Sequence, residues 1–242
     1  MIVLLYIEYF QYIIYTSDMS KKIIFVFGAS GAGKTTSVIP NVAKELSNPK
    51  ILEIDDIKRE LPDEFSAKKK NELKNAIFFL NLKNLMGNNE NIIISYPAIM
   101  LNPKKIISIY KSAKSSGYET EAAFLSVDYK RAQQGVDYRY VQALKGVDTG
   151  EILRRLKPWK NKILHYLLPL TMRILKESRN VDKVRLFDRN GTELSDAKIK
   201  TFFSEQNREY SESEQKEFQI KYDEISDFIK KNKELFYKKL YR

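Results

Sequence analysis

The sequence is constrained most strongly by residues 28–35, GASGAGKT, which match the phosphate-binding pattern G-x-x-x-x-G-K-[ST]. The motif follows the β-branched run Ile23–Phe27 and precedes a stretch that we predict to be helical through about Leu46. The motif requires this context of strand, turn and helix, because backbone N–H groups of the turn and the helix N-terminus surround a phosphate together. The chain is therefore predicted to bind a nucleoside triphosphate. Lys34-Thr35 argues against the competing prediction, a dinucleotide-binding turn.

The residue types in this loop indicate separate roles. Lys34 is predicted to contact the β- and γ-phosphates, and the Thr35 hydroxyl is predicted to bind Mg²⁺. The other residues of the loop are expected to surround phosphate oxygens with their backbone N–H groups. The predicted ATP-binding set is Gly28, Ala29, Ser30, Gly31, Ala32, Gly33, Lys34, Thr35 and Thr36.

Strand-like and helix-like segments alternate along the rest of the chain. Apolar, β-branched runs predict strands at Ile51–Ile54, Ile92–Ile94, Ala122–Val127 and Val184–Phe187. Apolar periodicity predicts helices at 64–86, Pro103–Ser115, Lys130–Leu144 and Lys157–Ser178, the last kinked at Pro169. The alternation predicts an α/β fold of the P-loop NTPase, kinase-like class. It comprises a parallel sheet flanked by helices, a helical lid and a C-terminal helix.

Three regions are expected from this organisation. Residues 1–18 are apolar, lack a basic start and carry Glu8, so they resemble neither a signal peptide nor a membrane span. We predict that they are an extension outside the core. Residues 19–205 form the predicted P-loop domain, with its lid near 145–162. Residues 206–242 indicate a charged amphipathic helix on the outside of the molecule.

Composition excludes several kinds of site. The chain of 242 residues has no cysteine and one histidine, so disulfide frameworks, thiolate zinc sites and cysteine nucleophiles are ruled out, and a Ser–His–Asp triad is disfavoured. A cysteine-free protein is expected in the cytoplasm. The net charge is +11, and the excess is concentrated in residues 101–200. This basic excess indicates a polyanionic ligand, which the charge alone leaves open among nucleic acid, a nucleotide and a phosphorylated metabolite.

Acidic residues follow the second predicted strand, at the sheet edge where open parallel sheets bind ligands. Asp55 is placed to accept a proton from an attacking hydroxyl or to hold a magnesium-bound water, whereas Asp56 is better suited to cap the next helix. No guanine-recognition motif of the N-K-x-D type is present, which disfavours a GTPase. A small-molecule kinase is the leading prediction.

From Lys21 to Leu194 the chain resembles the zeta-toxin family of P-loop kinases. The stretches that carry the resemblance are the P-loop, LEIDDIKRELP, SSGYETEAAFLSV, DYRY, RRLKP and KVRLFDRNGTEL, in this order. The resemblance implies ATP- and Mg²⁺-dependent phosphorylation of a hydroxyl of UDP-N-acetylglucosamine, and inhibition by a small helical antitoxin. Relatives with this fold phosphorylate other acceptors, so the acceptor is not determined by fold.

The resemblance also implies roles for individual residues. The family's catalytic aspartate corresponds to Asp55, because Pro62 lies at the same offset from it as a proline of the family. The lid arginine corresponds best to Arg155, with Arg154 as its alternative one residue away and Arg139 of DYRY as a second charge-stabilising candidate. A basic lid is suited to phosphoryl transfer, which depends on positioning and charge stabilisation.

One position departs from the family. Ser95 stands where the family's third strand ends in an acidic residue that contacts the sugar, which puts the UDP-sugar assignment in question. Two alternatives therefore stay open: a polynucleotide or nucleoside kinase, and a nucleotide-binding interaction protein with little catalysis that docks through its C-terminal helix. His165 and Trp159 are both expected to pack in the core rather than to take part in chemistry.

Overall fold

A computed structural model describes residues 21–62, 64–97, 102–147 and 158–238 of the protein. Its centre is a parallel sheet of five strands in the order β2-β3-β1-β4-β5. The strands are β1 Lys22–Gly28, β2 Lys50–Glu53, β3 Ile92–Pro97, β4 Glu119–Leu125 and β5 Lys183–Phe187. The apolar runs from which β1, β3 and β4 were predicted are fully buried, as expected for strands covered on both faces.

Helices cover both faces of the sheet. We number them α1 to α9, where α1 combines the π-helical turn Lys34–Val38 with the α-helical turn Ile39–Ala43. The others are α2 Ile54–Arg59, α3 Ala67–Gly87, α4 Pro103–Ser115, α5 Tyr129–Leu144, α6 Pro158–Glu177, α7 Ile199–Gln206, α8 Glu212–Lys231 and α9 Lys233–Lys238. The predicted fold class, an α/β P-loop kinase-like sheet flanked by helices, is confirmed. Among the described residues, no helix combines the length and the apolar character needed to cross a bilayer.

Some element boundaries differ from the sequence prediction. The helix after the P-loop ends at Ala43 rather than Leu46, and Ile54 begins α2 instead of ending β2. Helix α3 begins at Ala67 rather than at residue 64 and ends at Gly87, as predicted, and the left-handed residue that follows it is Asn89, with φ of 55°. Asparagine tolerates this conformation because its short polar side chain bonds locally. Helix α6 continues through Pro169 without interruption.

The C-terminal region is two helices rather than one. Residues 208–211 are not helical, and α8 begins only after Ser211. The helical structure is interrupted again at Asn232, before α9. Phe228 of α8 and Phe236 of α9 pack against Tyr140 and Val141 of α5, where they form a small apolar cluster apart from the main core. The C-terminal helices therefore lie against α5, on the outside of the sheet domain.

Candidate functional site

The P-loop joins β1 to α1 and is built by its glycines. Gly31 and Gly33 have φ of 79° and 98°, a backbone region that glycine enters without strain. The Lys34 side chain folds back over the loop, and its Nζ donates to the carbonyl oxygens of Gly28 (3.0 Å) and Ala29 (3.3 Å). A Cβ on Gly28 would lie 2.9 Å from Cγ of Lys34. The loop therefore has the shape that the motif predicts, with the Lys34 amine folded across it.

The two residues after Lys34 are exposed at the start of α1. Thr35 directs its Oγ1 toward Glu53, whereas Thr36 donates its hydroxyl to the Gly33 carbonyl at 3.2 Å. Only Thr35 therefore points away from the loop, which suits the metal-binding role predicted for it.

The tip of the P-loop is held by two helices that come much later in the chain. A Cβ on Gly31 would lie 2.1 Å from the Ala132 carbonyl oxygen, and a Cβ on Gly135 would lie 2.2 Å from the Gly31 carbonyl oxygen. The loop backbone thus packs directly on the backbone of α5. From α6, Asn161 donates its Nδ2 to the Ser30 carbonyl (3.3 Å) and to Oε1 of Gln133 (3.4 Å).

Asn161 is wholly buried, and its Oδ1 has no hydrogen-bond partner in the described part of the chain. It was missed by sequence analysis because a single asparagine in an apolar helix has no motif around it. Gly135 was missed for the same reason, because its role depends on the Gly31 backbone that packs against it.

The carboxyl end of β2 reaches the P-loop through a residue that the sequence analysis also missed. Thr35 donates its Oγ1 to Oε1 of Glu53, the last residue of β2, at 3.3 Å. Asp55 and Asp56 follow in the first turn of α2, where Asp55 is exposed and Asp56 is half-buried. Because side chains alternate between the two faces of a strand, the Glu53 side chain lies on the opposite face of the sheet from the preceding residue of β2. The predicted strand Ile51–Ile54 ends one residue after the observed β2, which placed Asp55 rather than Glu53 at the end of the strand.

These oxygen ligands are suited to a hard cation. Mg²⁺ binds few protein groups and keeps waters and phosphate oxygens as its other ligands, so a hydroxyl beside one carboxylate is a fitting donor set. Among the described residues, no group of three or more acidic, histidine or cysteine side chains is gathered to hold a metal alone. A magnesium ion bound beside the P-loop would thus find the Thr35 hydroxyl, with Glu53 next to it, as its nearest suitable protein groups in the described part of the chain.

The predicted arginines fall in two places. Arg139 lies one turn beyond Gly135 on α5, and its Nε donates to the Gly135 carbonyl at 3.4 Å. It is thus attached to the residue that packs on the loop tip. Arg154 and Arg155 lie outside the described residues, as does most of the predicted lid at 145–162. The first residues of α6 fall within the predicted lid, and one of them, Asn161, contacts the P-loop at Ser30.

Position 95 has an acidic neighbour. Ser95 is buried on β3 and pairs in register with Glu53 of β2, so the two side chains lie on the same face of the sheet. Tyr96 lies on the opposite face, is 1% exposed, and packs its ring 5.7 Å from that of Phe25 and 5.6 Å from that of Phe27. Burial raises the pKa of Tyr96 to about 12. Tyr96 therefore belongs to the core and is not a stacking platform.

The two other residues that were expected to pack have different environments. His165 is buried, and its Nδ1 lies 3.2 Å from Nε2 of Gln206. Burial lowers the pKa of His165, although the nearby Asp128 charge opposes this shift. His165 is therefore a hydrogen-bonded core residue, as expected. Trp159 is 56% exposed, so the expectation that it anchors the core is wrong.

Comparisons with known proteins agree with this description. The family model described as Zeta toxin matches residues 8–200. A solved structure from the PezAT chromosomal toxin-antitoxin system of Streptococcus pneumoniae superposes with a TM-score of 0.70 at 16% sequence identity, and the match covers 88% of each chain. A search among curated proteins finds no significant match. At this identity the structural likeness supports the fold, and the family match covers most of the chain. The chain belongs to the zeta-toxin family and has its P-loop kinase-like fold.

Proposed function

We propose that the protein is a cytoplasmic ATP-dependent kinase that transfers the γ-phosphate of ATP to a hydroxyl of a nucleotide sugar such as UDP-N-acetylglucosamine. The observation that carries the proposal is the hydrogen bond between Thr35 of the P-loop and Glu53 at the end of β2. It places the chain segment that leads into Asp55 next to the loop that holds phosphates. This supports a mechanism in which the P-loop holds the phosphoryl donor and Asp55 acts as the base for the acceptor at the same edge of the sheet.

Each residue has a separate task in this mechanism. The P-loop backbone and Lys34 bind the triphosphate. When the triphosphate binds, the Lys34 amine gives up its hydrogen bonds to the Gly28 and Ala29 carbonyl groups and contacts phosphate oxygens instead. Asp55 accepts the proton of the acceptor hydroxyl as the hydroxyl oxygen attacks the γ-phosphorus. The bond between the γ-phosphorus and the oxygen that bridges it to the β-phosphate breaks in the same step, and ADP leaves. Mg²⁺, held by Thr35, supplies neutralisation of charge on the phosphates when it is bound.

The arginines complete the site. Arg139 and Arg155, with Arg154 as the alternative to Arg155, stabilise the negative charge that spreads over the transferring group. They come from α5 and from the segment before α6, the two helices whose residues contact the P-loop tip.

The presence of Glu53 supports a nucleotide sugar as the acceptor, although Ser95 replaces the acidic residue with which the family contacts the sugar. The family's acidic contact is absent at position 95, but the paired residue one strand away is a glutamate on the same face. Neighbouring parallel strands are about 4.8 Å apart, so a carboxylate from β2 reaches the volume next to Ser95. We propose that Glu53 supplies the carboxylate that the family draws from β3.

A small helical antitoxin is the partner that we propose for this protein. The proposal rests on the family and on the structural likeness to a protein of a toxin-antitoxin system. We expect the protein to copurify with the product of a neighbouring small reading frame. We expect the complex to have lost kinase activity.

The direct test is transfer of labelled γ-phosphate from ATP to UDP-N-acetylglucosamine. We expect labelling by the wild-type protein and its loss in Asp55→Asn, with ATP affinity retained in both because Asp55 does not bind the triphosphate. Asp56→Asn is the matched control, since Asp56 occupies the same first turn of α2, and it should keep most of the activity. An Asp55→Asn protein that transfers phosphate at the wild-type rate would contradict the assignment of the base.

The same assay discriminates the alternative functions. A nucleic-acid kinase would label oligonucleotide ends and bind them with an affinity that falls steeply as salt rises. A binding protein without catalysis would bind ATP and label no acceptor. Labelling of UDP-N-acetylglucosamine with no labelling of oligonucleotides excludes both alternatives.

A further inference from the structure

Three polar side chains form a series of hydrogen bonds beside the tip of the P-loop. Asp137 of α5 accepts from Nε2 of Gln133 at 3.0 Å, one turn earlier on the same helix. Oε1 of Gln133 accepts from Nδ2 of Asn161 at 3.4 Å, and the same Nδ2 donates to the Ser30 carbonyl at 3.3 Å. We call Asp137, Gln133 and Asn161 the amide relay. It runs from a carboxylate on α5, through α6, to the backbone of the P-loop.

The carboxylate determines the direction of the whole relay. An ionised carboxylate only accepts hydrogen bonds, so Gln133 must present its NH₂ group to Asp137 and its oxygen to Asn161. Asn161 must then present its own NH₂ group, whose two hydrogens supply the Gln133 oxygen and the Ser30 carbonyl. Rotation of the Asn161 amide by 180° would place its oxygen against two other oxygens. The relay therefore holds a donor, and not an acceptor, against the loop.

This donor is kept although the other end of the same amide is unpaired. Asn161 is wholly buried, and among the described residues its Oδ1 has no hydrogen-bond partner. A buried acceptor without a donor destabilises a fold, so such a group in a native protein needs a specific explanation. An apolar side chain of the same size would avoid the unpaired oxygen. We therefore expect the donor itself to be what position 161 requires.

The bond to the Ser30 carbonyl fixes a peptide unit of the P-loop. In a trans peptide the carbonyl and the following N–H point in opposite directions, so a Ser30 carbonyl held toward Asn161 directs the Gly31 N–H away from α6. Gly31 has a φ of 79° and no side chain, and its backbone is free to rotate unless its neighbours hold it. A P-loop binds phosphate through N–H groups that turn inward, and this requires one fixed direction of the peptide.

Helix α5 holds the next peptide unit as well. A Cβ on Gly135 would lie 2.2 Å from the Gly31 carbonyl oxygen, so the two backbones are in direct contact. The peptide before Gly31 is thus held by the amide relay, and the peptide after it by packing on Gly135. Two successive peptide units at the tip of the loop are fixed by side chains and backbone of α5 and α6.

We propose that Gln133 and Asn161 are positioning residues of the nucleotide site, which direct the Gly31 N–H toward the phosphates of ATP. The inference rests on the proposed function, because it assigns the relay to the same ATP site, but it concerns ATP binding and not the acceptor. The two side chains act through the peptide between Ser30 and Gly31. N–H groups that are already oriented stabilise phosphate charge without the cost of reorientation, so an ATP site with a broken relay binds its nucleotide more weakly.

Two neighbouring glutamines of α5 provide a matched pair of variants. Gln133 and Gln134 are each 8% exposed, but Gln134 donates its Nε2 to the Phe218 carbonyl of α8, at 2.7 Å. We expect Gln133→Leu to weaken ATP binding by about tenfold, which corresponds to the loss of one buried hydrogen bond. Gln134→Leu loses a buried donor of the same kind and should leave ATP affinity unchanged. Isothermal titration calorimetry with ATP and Mg²⁺ measures both affinities, and thermal melting shows that each variant is folded.

An exchange of the carboxylate and the amide within the relay separates direction from packing. Gln133→Glu places two carboxylates next to each other, and Asp137→Asn removes the group that imposes the direction, so each single variant should lower ATP affinity. In the double variant the new amide donates to the new carboxylate, which only accepts and so again faces the NH₂ group of Asn161. We expect the double variant to bind ATP nearly as tightly as the wild-type protein.

Two results would overturn this inference alone. One is an equal loss of ATP affinity in Gln133→Leu and Gln134→Leu, which would indicate a general effect on the fold. The other is a double variant that binds ATP no better than the two single variants, which would show that the direction of the relay has no role.

The assays also distinguish this inference from the proposed function. A wild-type protein that binds ATP but labels no acceptor would contradict the proposed function, and the ATP affinities of the variants would still decide the role of the relay. A wild-type protein that binds no ATP would overturn both.

Discussion

At the scale of single residues, the P-loop depends on a glycine that lies outside its own motif. Gly135→Ala should be destabilising although alanine is the better helix former, because the new Cβ would meet the Gly31 carbonyl oxygen at 2.2 Å. Overpacking of this kind costs about 1–3 kcal/mol. We expect a lower melting temperature and weaker ATP binding, measured by calorimetry.

Gly87→Ala in α3 is the matched control, because a Cβ there meets nothing within 4 Å. Its effect should be neutral or stabilising by up to about 1 kcal/mol. A gain in stability for both variants would show that α5 does not hold the loop tip.

Asn161 provides a second prediction at this scale. Asn161→Leu keeps the size of the side chain but leaves the Ser30 carbonyl and Oε1 of Gln133 without this donor. A buried acceptor that loses its donor costs about 1–3 kcal/mol. We expect ATP affinity to fall with little change in the helix content seen by circular dichroism. Unchanged ATP affinity would assign Asn161 to packing alone.

At the scale of secondary-structure elements, α8 is anchored by its first turn. Ser211 accepts from the Glu214 N–H (3.3 Å), and Glu214 accepts in return from the Ser211 N–H (2.8 Å), which is a capping box. Burial acts to raise the pKa of Glu214, but hydrogen bonds from Arg208 and from the Ser211 backbone outweigh it and lower the pKa to about 2. The ionised carboxylate therefore stabilises the fold.

The sign of the pH dependence follows. Because the pKa of Glu214 is lower in the folded state than its ordinary 4.5, the stabilisation is complete above about pH 5 and is lost as the pH falls toward 2. The difference corresponds to about 3 kcal/mol. We expect Glu214→Gln to be destabilising in urea unfolding at pH 7 and much less destabilising at pH 2.5, where most of the stabilisation is already lost. The exposed Glu212→Gln in the same turn should have a small effect at pH 7.

Elements with a strong local signal were predicted closely. Pro103–Ser115 was predicted with its observed bounds, because Asn102 and Pro103 mark its start and Ile106, Ile109 and Tyr110 define one buried side. The end of β2 was not, since Ile54 continues an apolar run and yet starts α2. Local sequence does not show where a strand loses its partner strand, so the roles of Glu53 and Asp55 depend on the sheet.

At the scale of the whole molecule, Arg185 ties together parts of the chain that are distant in sequence. It is buried on β5 and pairs with Glu45 after α1, Glu121 on β4 and Glu193. Burial acts to lower the pKa of Arg185, but hydrogen bonds to Glu45 and Glu193 raise it above its ordinary value. The guanidinium thus remains charged and offsets several carboxylates.

Removing this cation should be costly. Arg185→Met leaves the buried Glu121 with only Lys22 as its cation in the described structure, and loss of one partner from a buried pair costs about 3–5 kcal/mol. Arg185→Met with Glu121→Leu should recover part of the loss, because no buried carboxylate is then left without its partner. Urea unfolding of both variants measures the coupling, and strictly additive effects would contradict it.

The sequence by itself determined the P-loop, the alternation of strands and helices, and hence the fold class. These features are local, since phosphate binding needs adjacent backbone groups and burial on both faces produces continuous apolar runs. The tertiary structure decided which distant groups meet: Gly135 and Asn161 at the loop tip, Glu53 beside Thr35, and the exposure of Trp159. A contact between elements depends on packing angles and strand order, and these arise only when the whole chain closes on one core.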